Sequence, residues 1–158
     1  MLVATTVGAI LFSTLLALGD GVDGLTYGAA HDTEYLINLR HTPAAGEFVR
    51  TFIPRLGFYS VHARGHPPGY LLVLICLRAV GLSGVWPVVV ISLLATGVTA
   101  AAVLITVRAV AGVDWMRRAA PLLIVAPYAI WMVTSADALF TCVGAVGIAA
   151  VAQGASQG

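Results

Sequence analysis

Apolar runs alternate with one extended polar stretch along this chain, and that pattern predicts its elements. Residues 2–18 are apolar over about 17 positions, the lower limit for a helix that crosses a bilayer. No basic residue precedes the run, so it reads as a retained first span and not as a cleaved leader. Residues 19–66 are polar and read as a loop. Residues 67–82 are apolar again, but the run is short, has Arg78 inside it and is closed by Gly81 and Gly84. A run of that length suggests an interfacial or re-entrant helix. Three more spans are expected at 85–107, 119–134 and 138–152. The middle one has Pro121 in its first turn and Pro127 further in, where a kink is expected. The predicted fold is all-α: a polytopic membrane helical bundle of about four transmembrane helices, with an outer loop that carries juxtamembrane helices.

A structureless loop as long as 19–66 is uncommon in a compact domain. It holds Asp20, Asp23, Asp32, Glu34 and Glu47, together with Arg40, Arg50, Arg55 and Arg64. All four histidines, His31, His41, His62 and His66, lie in it or at its edge. Its aromatic and aliphatic content, including Tyr27, Phe48, Phe52, Phe58 and Tyr59, argues against disorder. Tyr35, Leu36 and Leu39 fall at helical spacing after Asp32-Thr33-Glu34, which predicts a short helix on the membrane surface.

Composition agrees with the pattern. The chain is 59% hydrophobic and 9% charged, against about 25% charged in soluble domains. Mean hydropathy is +0.96. A net charge of +1 leaves no footprint for nucleic acid. Cys76 and Cys142 both sit in apolar runs and read as small buried hydrophobes, not as a disulfide or metal pair. No phosphate-binding loop, dinucleotide fingerprint or zinc spacing is present.

The short run at 67–82 decides topology. If it spans, Arg108, Arg117 and Arg118 share a side with the 19–66 loop. If it lies flat, those arginines are cytoplasmic and Asp137 joins Asp32 and Glu34 on the outer side. Short links obey the positive-inside rule, whereas long loops translocate largely regardless of charge, so the second arrangement is favoured.

Three constellations have chemical potential. Arg64 and His66 precede Pro67-Pro68, where a helix is expected to start at Pro67. Two basic groups at an electropositive helix end suit a phosphate; equally, Arg64 snorkels to water from a membrane-surface helix. Arg55 offers a second guanidinium that the sequence does not place. In His31-Asp32-Thr33-Glu34-Tyr35, an acid beside the membrane suits removal of a proton from a hydroxyl; the alternative is a helix cap with a first-turn acid. In the segment Thr134-Ser135-Ala136-Asp137-Ala138-Leu139-Phe140, Ser135 is a good N-cap and Asp137 fits a first turn. An ionisable group at a membrane entrance is nonetheless a functional candidate.

Taken together, these pieces resemble a known family. The acids followed by Tyr35, the His66-Pro67-Pro68-Gly69-Tyr70 helix opening, the arginine-terminated span, and Ala126-Pro127-Tyr128 with Ser135-Ala136-Asp137-Ala138-Leu139 look like the N-terminal module of GT-C membrane glycosyltransferases. The resemblance is to the protein-O-mannosyltransferase and aminoarabinose-transferase kind. The resemblance implies a multi-pass protein of the cell membrane that takes a sugar from a polyprenyl-phosphate donor. It implies a first-loop acid as catalytic base and an acid of the next outer loop in support, roles that fall on Asp32 or Glu34 and on Asp137. Asp32 with Glu34 two residues on stands where the family has an adjacent acid pair, so both remain candidates. Arg64, His66, Tyr35 and Arg55 are the substrate-binding candidates. Asp137 would orient the acceptor or hold a divalent cation. Family members are several hundred residues long with more spans, so this chain corresponds to their first part only.

The alternative is a non-catalytic integral membrane protein, either a transporter fragment or a structural or assembly partner. A transporter should carry polar groups near the midplane of its spans. Here Ser92, Thr96, Thr99 and Thr141 are the mild exceptions in almost wholly apolar runs.

Overall fold

The computed structural model describes residues 1–133 and 135–157. Thr134, which ends the run at 119–134 and begins the Ser135–Asp137 motif, lies outside the described residues. Eight α-helices occur in chain order, and no strand is present among the described residues: α1 Leu2–Ala17, α2 Tyr27–Ala30, α3 Ala45–Thr51, α4 Val61–Gly65, α5 Gly69–Ala79, α6 Val85–Ala111, α7 Val113–Ile124 and α8 Asp137–Gln157. Short 3-10 turns at Leu18–Asp20, Val22–Leu25, Leu36–Arg40, Leu56–Phe58 and Pro127–Ile130 join them. Three stretches, Leu2–Asp20, Val85–Ala111 and Asp137–Ser156, are long and apolar enough to cross a membrane. This is an all-α helical membrane protein.

α6 is the central post, with α1, α7 and α8 all packed on it. Small residues permit the close approach. A Cβ on Gly97 of α6 would lie 2.7 Å from Ile10 Cδ1 and 2.9 Å from Thr6 Cγ2 of α1. A Cβ on Gly8 would lie 2.9 Å from Ile124 Cδ1 of α7. Two of the hydroxyls buried in α6 are satisfied within the helix: Thr96 Oγ1 donates to the Ser92 carbonyl at 2.9 Å and Thr99 Oγ1 to the Ala95 carbonyl at 2.8 Å.

The expected straight span at 119–134 is not what forms. α7 begins six residues earlier, behind Gly112 at φ +89°, and ends at Ile124. Pro127 cannot donate to the Leu123 carbonyl, and it drives Ala126 into extended backbone at φ −66°, ψ 140°. The carbonyl so released accepts the Tyr128 hydroxyl at 3.1 Å. The broken path still runs the length of α1. Leu2 packs with Leu104, Met116 and Ala120 at one end, and Ile130 and Trp131 meet Leu16 and Ala17 at the other. Replacing Tyr128 by Phe should orphan the Leu123 carbonyl at a cost of about 1–3 kcal/mol. A lowered unfolding midpoint in detergent micelles checks this, and an unchanged midpoint refutes it.

This path puts Arg108, which shares a depression with Leu2 and Gln153, at the end of the bundle away from the 18–84 segment. Both ends of α5 touch that segment. Tyr70 packs edge-on against Tyr35, with ring centroids 4.8 Å apart. Eight residues on, the Arg78 guanidinium donates to the carbonyls of Leu39, Thr42 and Pro43. α5 therefore lies along the loop end of the bundle, with Leu74 and Ile75 in one core cluster with Val88 at the start of α6. It begins at Gly69, not at Pro67, with Pro68 as N-cap and His66 in extended backbone, as a residue before proline prefers. The surface helix expected after Asp32 is a 3-10 turn at Leu36–Arg40, closed by the Arg78 contacts.

Candidate functional site

Glu34 is the centre of the polar cluster at the loop end. A turn from His31, closed by the Glu34 N–H to the His31 carbonyl at 3.0 Å, brings its side chain inward. The first contact is with α4: His62 Nδ1 lies 2.8 Å from Glu34 Oε1, and the carboxylate side chain is only 14% exposed. Four backbone and side-chain bonds fix this geometry. The His62 N–H donates to the Thr33 carbonyl at 3.3 Å, and Ser60 Oγ donates to the Glu34 carbonyl at 2.8 Å. Asn38 locks Ser60 from both sides, its Nδ2 on Ser60 Oγ and its Oδ1 accepting the Ser60 N–H, each at 2.8 Å.

Burial raises the Glu34 carboxyl above the ordinary carboxylate range; His62 pulls it back down and the charge of Asp137 pushes it up again. Asp137 itself is exposed at the start of α8, its N–H capped by Ser135 Oγ at 3.1 Å. Ser135 and Ala136 share with Glu34, Tyr35 and Tyr70 the lining of one small cavity, so α8 delivers its acid to the Glu34 side of the loop.

Aromatic rings close the cluster. His66 stacks on Phe140 at 5.8 Å and 22°, and its Nδ1 meets the His62 carbonyl at 2.9 Å. Tyr35 is buried between His66 and Tyr70. Burial, then the charges of Glu34 and Asp137, push the Tyr35 phenol up to about 12, and its hydroxyl finds no partner among the described residues. An orphaned donor of this kind is available to a ligand oxygen.

The candidates named from sequence thus separate into three places. Glu34, Tyr35, His66 and Asp137 come together. Arg64 is exposed beside His66, in a depression of about 410 Å3 with apolar walls from Val49, Phe52, Ile53 and Leu56. Asp32 and Arg55 lie elsewhere, on a separate cleft of about 610 Å3. Asp32 points to solvent, 82% exposed, with His31 Nδ1 at 3.1 Å. For a divalent cation the fit is poor: among the described residues no group of three or more His, Cys, Asp or Glu side chains is placed to hold one.

His62, Ser60, Asn38, Tyr70 and Phe140 were not singled out from sequence. The only hint was the four-residue spacing of His62 and His66. The chain matches no family model, no curated protein and no solved structure.

Proposed function

We propose that this protein is a multi-pass membrane glycosyltransferase of the GT-C kind, or its N-terminal module, acting at the outer face of the cell membrane. It transfers a sugar from a polyprenyl-phosphate donor to an acceptor hydroxyl. The observation that carries the reading is the half-buried Glu34–His62 pair, facing the same end of the bundle as Asp137 and the Arg64 depression. In this reading Glu34 is the base. Its carboxylate takes the proton of the acceptor hydroxyl, the hydroxyl oxygen bonds to the anomeric carbon, and the bond from that carbon to the donor phosphate oxygen breaks with inversion. The leaving polyprenyl phosphate takes the electron pair, and Arg64 meets its growing charge. Val49, Phe52 and Ile53 offer the prenyl chain an apolar wall next to that cation. His62 holds the carboxylate in place, and burial, with the charge of Asp137 adding to it, keeps its proton affinity high enough to serve as a base.

The test is release of polyprenyl phosphate when the protein, in lipid vesicles, receives a panel of polyprenyl-phosphate sugars with acceptor glycosides. Release from at least one donor is expected. Arg64→Ala should lower kcat/KM by about 10- to 100-fold, the worth of one charge-assisted hydrogen bond. No release from any donor by the wild-type chain refutes the reading.

A second reading is favoured by the same network. Thr33, Glu34, Asn38, Ser60 and His62 form a continuous latch between the first half of the loop and α4, as expected of a purely structural membrane protein. The Glu34 variant discussed below separates the two.

A further inference from the structure

We infer that the outer loop carries a saccharide-binding cleft, distinct from the Glu34 centre and built by Asp32, Asn38, His41, Arg55, Phe58 and Tyr59. Its volume of about 610 Å3 falls in the range of about 300–1,000 Å3 that holds small ligands. The lining is unusual for a surface hollow. Asp32 and Arg55 share it, yet no salt bridge joins them among the described residues; Asp32 meets only His31. Asn38 is fully engaged in the Ser60 latch and forms a rigid back wall. Phe58 stands on the cleft 85% exposed.

These groups select the ligand's chemistry. A phosphate would be repelled by Asp32, and a simple cation by Arg55. A ligand that satisfies both must donate to the carboxylate and accept from the guanidinium across the one cleft. A hydroxyl does both, and a ring that bears several of them can offer donors to the paired oxygens of Asp32 and acceptors to the forked donors of Arg55. The face of a sugar ring is lined with C–H groups, which sit well on the electron-rich face of a phenyl ring such as Phe58. Insertion of Phe58 into lipid would instead carry Asp32 and Arg55 towards a medium that excludes charge.

Only the Asn38–Ser60 latch separates the cleft from Glu34: Ser60 lines the hollow and its hydroxyl is bonded to the Glu34 carbonyl. That contiguity makes the cleft the place where a glycosylated acceptor waits. The acceptor role rests on the transfer reading above; the binding of a saccharide does not. Asp32, a candidate base from sequence, is thereby a binding residue.

The experiment is saturation-transfer NMR on the full chain in nanodiscs, with methyl glycosides of gluco, manno and arabino configuration as probes. At least one should show transfer to the C–H protons of one ring face. Phe58→Ala should weaken it about five- to tenfold and Arg55→Ala by about tenfold. Both side chains are exposed, so neither change threatens folding. Glu34→Gln should bind the glycoside as wild type does, even though it lowers transfer by about 100-fold or more. If no glycoside binds, or if binding survives both Phe58→Ala and Arg55→Ala, the inference is wrong. Binding without any sugar transfer by the wild-type chain would overturn only the catalytic reading.

Discussion

Glu34→Gln is expected to lower sugar transfer by about 100-fold or more, the usual loss on removing a general base, while the protein folds as before. The amide is the same size as the carboxylate, and its oxygen can still accept from His62 Nδ1, so the latch survives. What is lost is the site for the acceptor's proton. Asp32→Asn should keep most of the catalytic rate. The pH profile gives an independent readout. Only ionised Glu34 can act as base, so activity should fall as pH drops through its raised value, at a higher pH than for a free carboxylate.

The linkage runs the other way for stability. An acid whose proton affinity is raised by folding contributes stability below its unfolded value and loses that contribution as pH rises through its folded value. Wild type should therefore lose stability relative to Glu34→Gln across that window. Steady-state transfer and thermal unfolding, both measured against pH, check the two signs. A fully active Glu34→Gln removes Glu34 as base. A variant that is inactive because it unfolds favours the structural latch.

Gly97→Leu should be the most damaging change within the bundle. α1 and α6 approach so closely at this point that a methyl group alone would meet Ile10 and Thr6 below 3.0 Å. The Ile10 tip can swing aside, but the Thr6 methyl sits on a short branched side chain with little freedom. A leucine there forces the helices apart, at about 1–3 kcal/mol or more. Gly144 is the internal control. It lies in α8 with nothing within 4 Å of a Cβ, so Gly144→Ala should be neutral or gain up to about 1 kcal/mol of helix propensity. Cysteine crosslinking of α1 to α6, with unfolding midpoints in micelles, reads both. Equal midpoints for Gly97→Leu and wild type would contradict the packing described here.

Much of this was legible in the amino-acid order. The apolar runs over α1, α6 and α8 are long and nearly free of charge, and such a run has few alternatives to a helix in lipid. The end-capping role of Ser135 and the kinking power of Pro127 follow from local chemistry alone. Less was legible at the site. Asp32 and Glu34 are two residues apart at the start of a segment whose helical spacing begins only at Tyr35, and nothing local separates a buried base from a solvated ligand contact. The turn at His31–Glu34 turns one side chain towards α4 and leaves the other in solvent. Arg78 reads from sequence as a charge misplaced in an apolar helix; folded, it holds three carbonyls of a loop some forty residues earlier.

The three long apolar helices thus follow from the order of residues, because hydropathy belongs to a contiguous stretch and needs no distant partner. The pairing of Glu34 with His62, the separation of Asp32 and Arg55 into their own cleft, and the rescue of the Leu123 carbonyl by Tyr128 came only with the folded chain. Each depends on which polar groups meet once water is gone. That meeting is set by how α4, α5 and α8 pack at the loop end, and no local pattern encodes it.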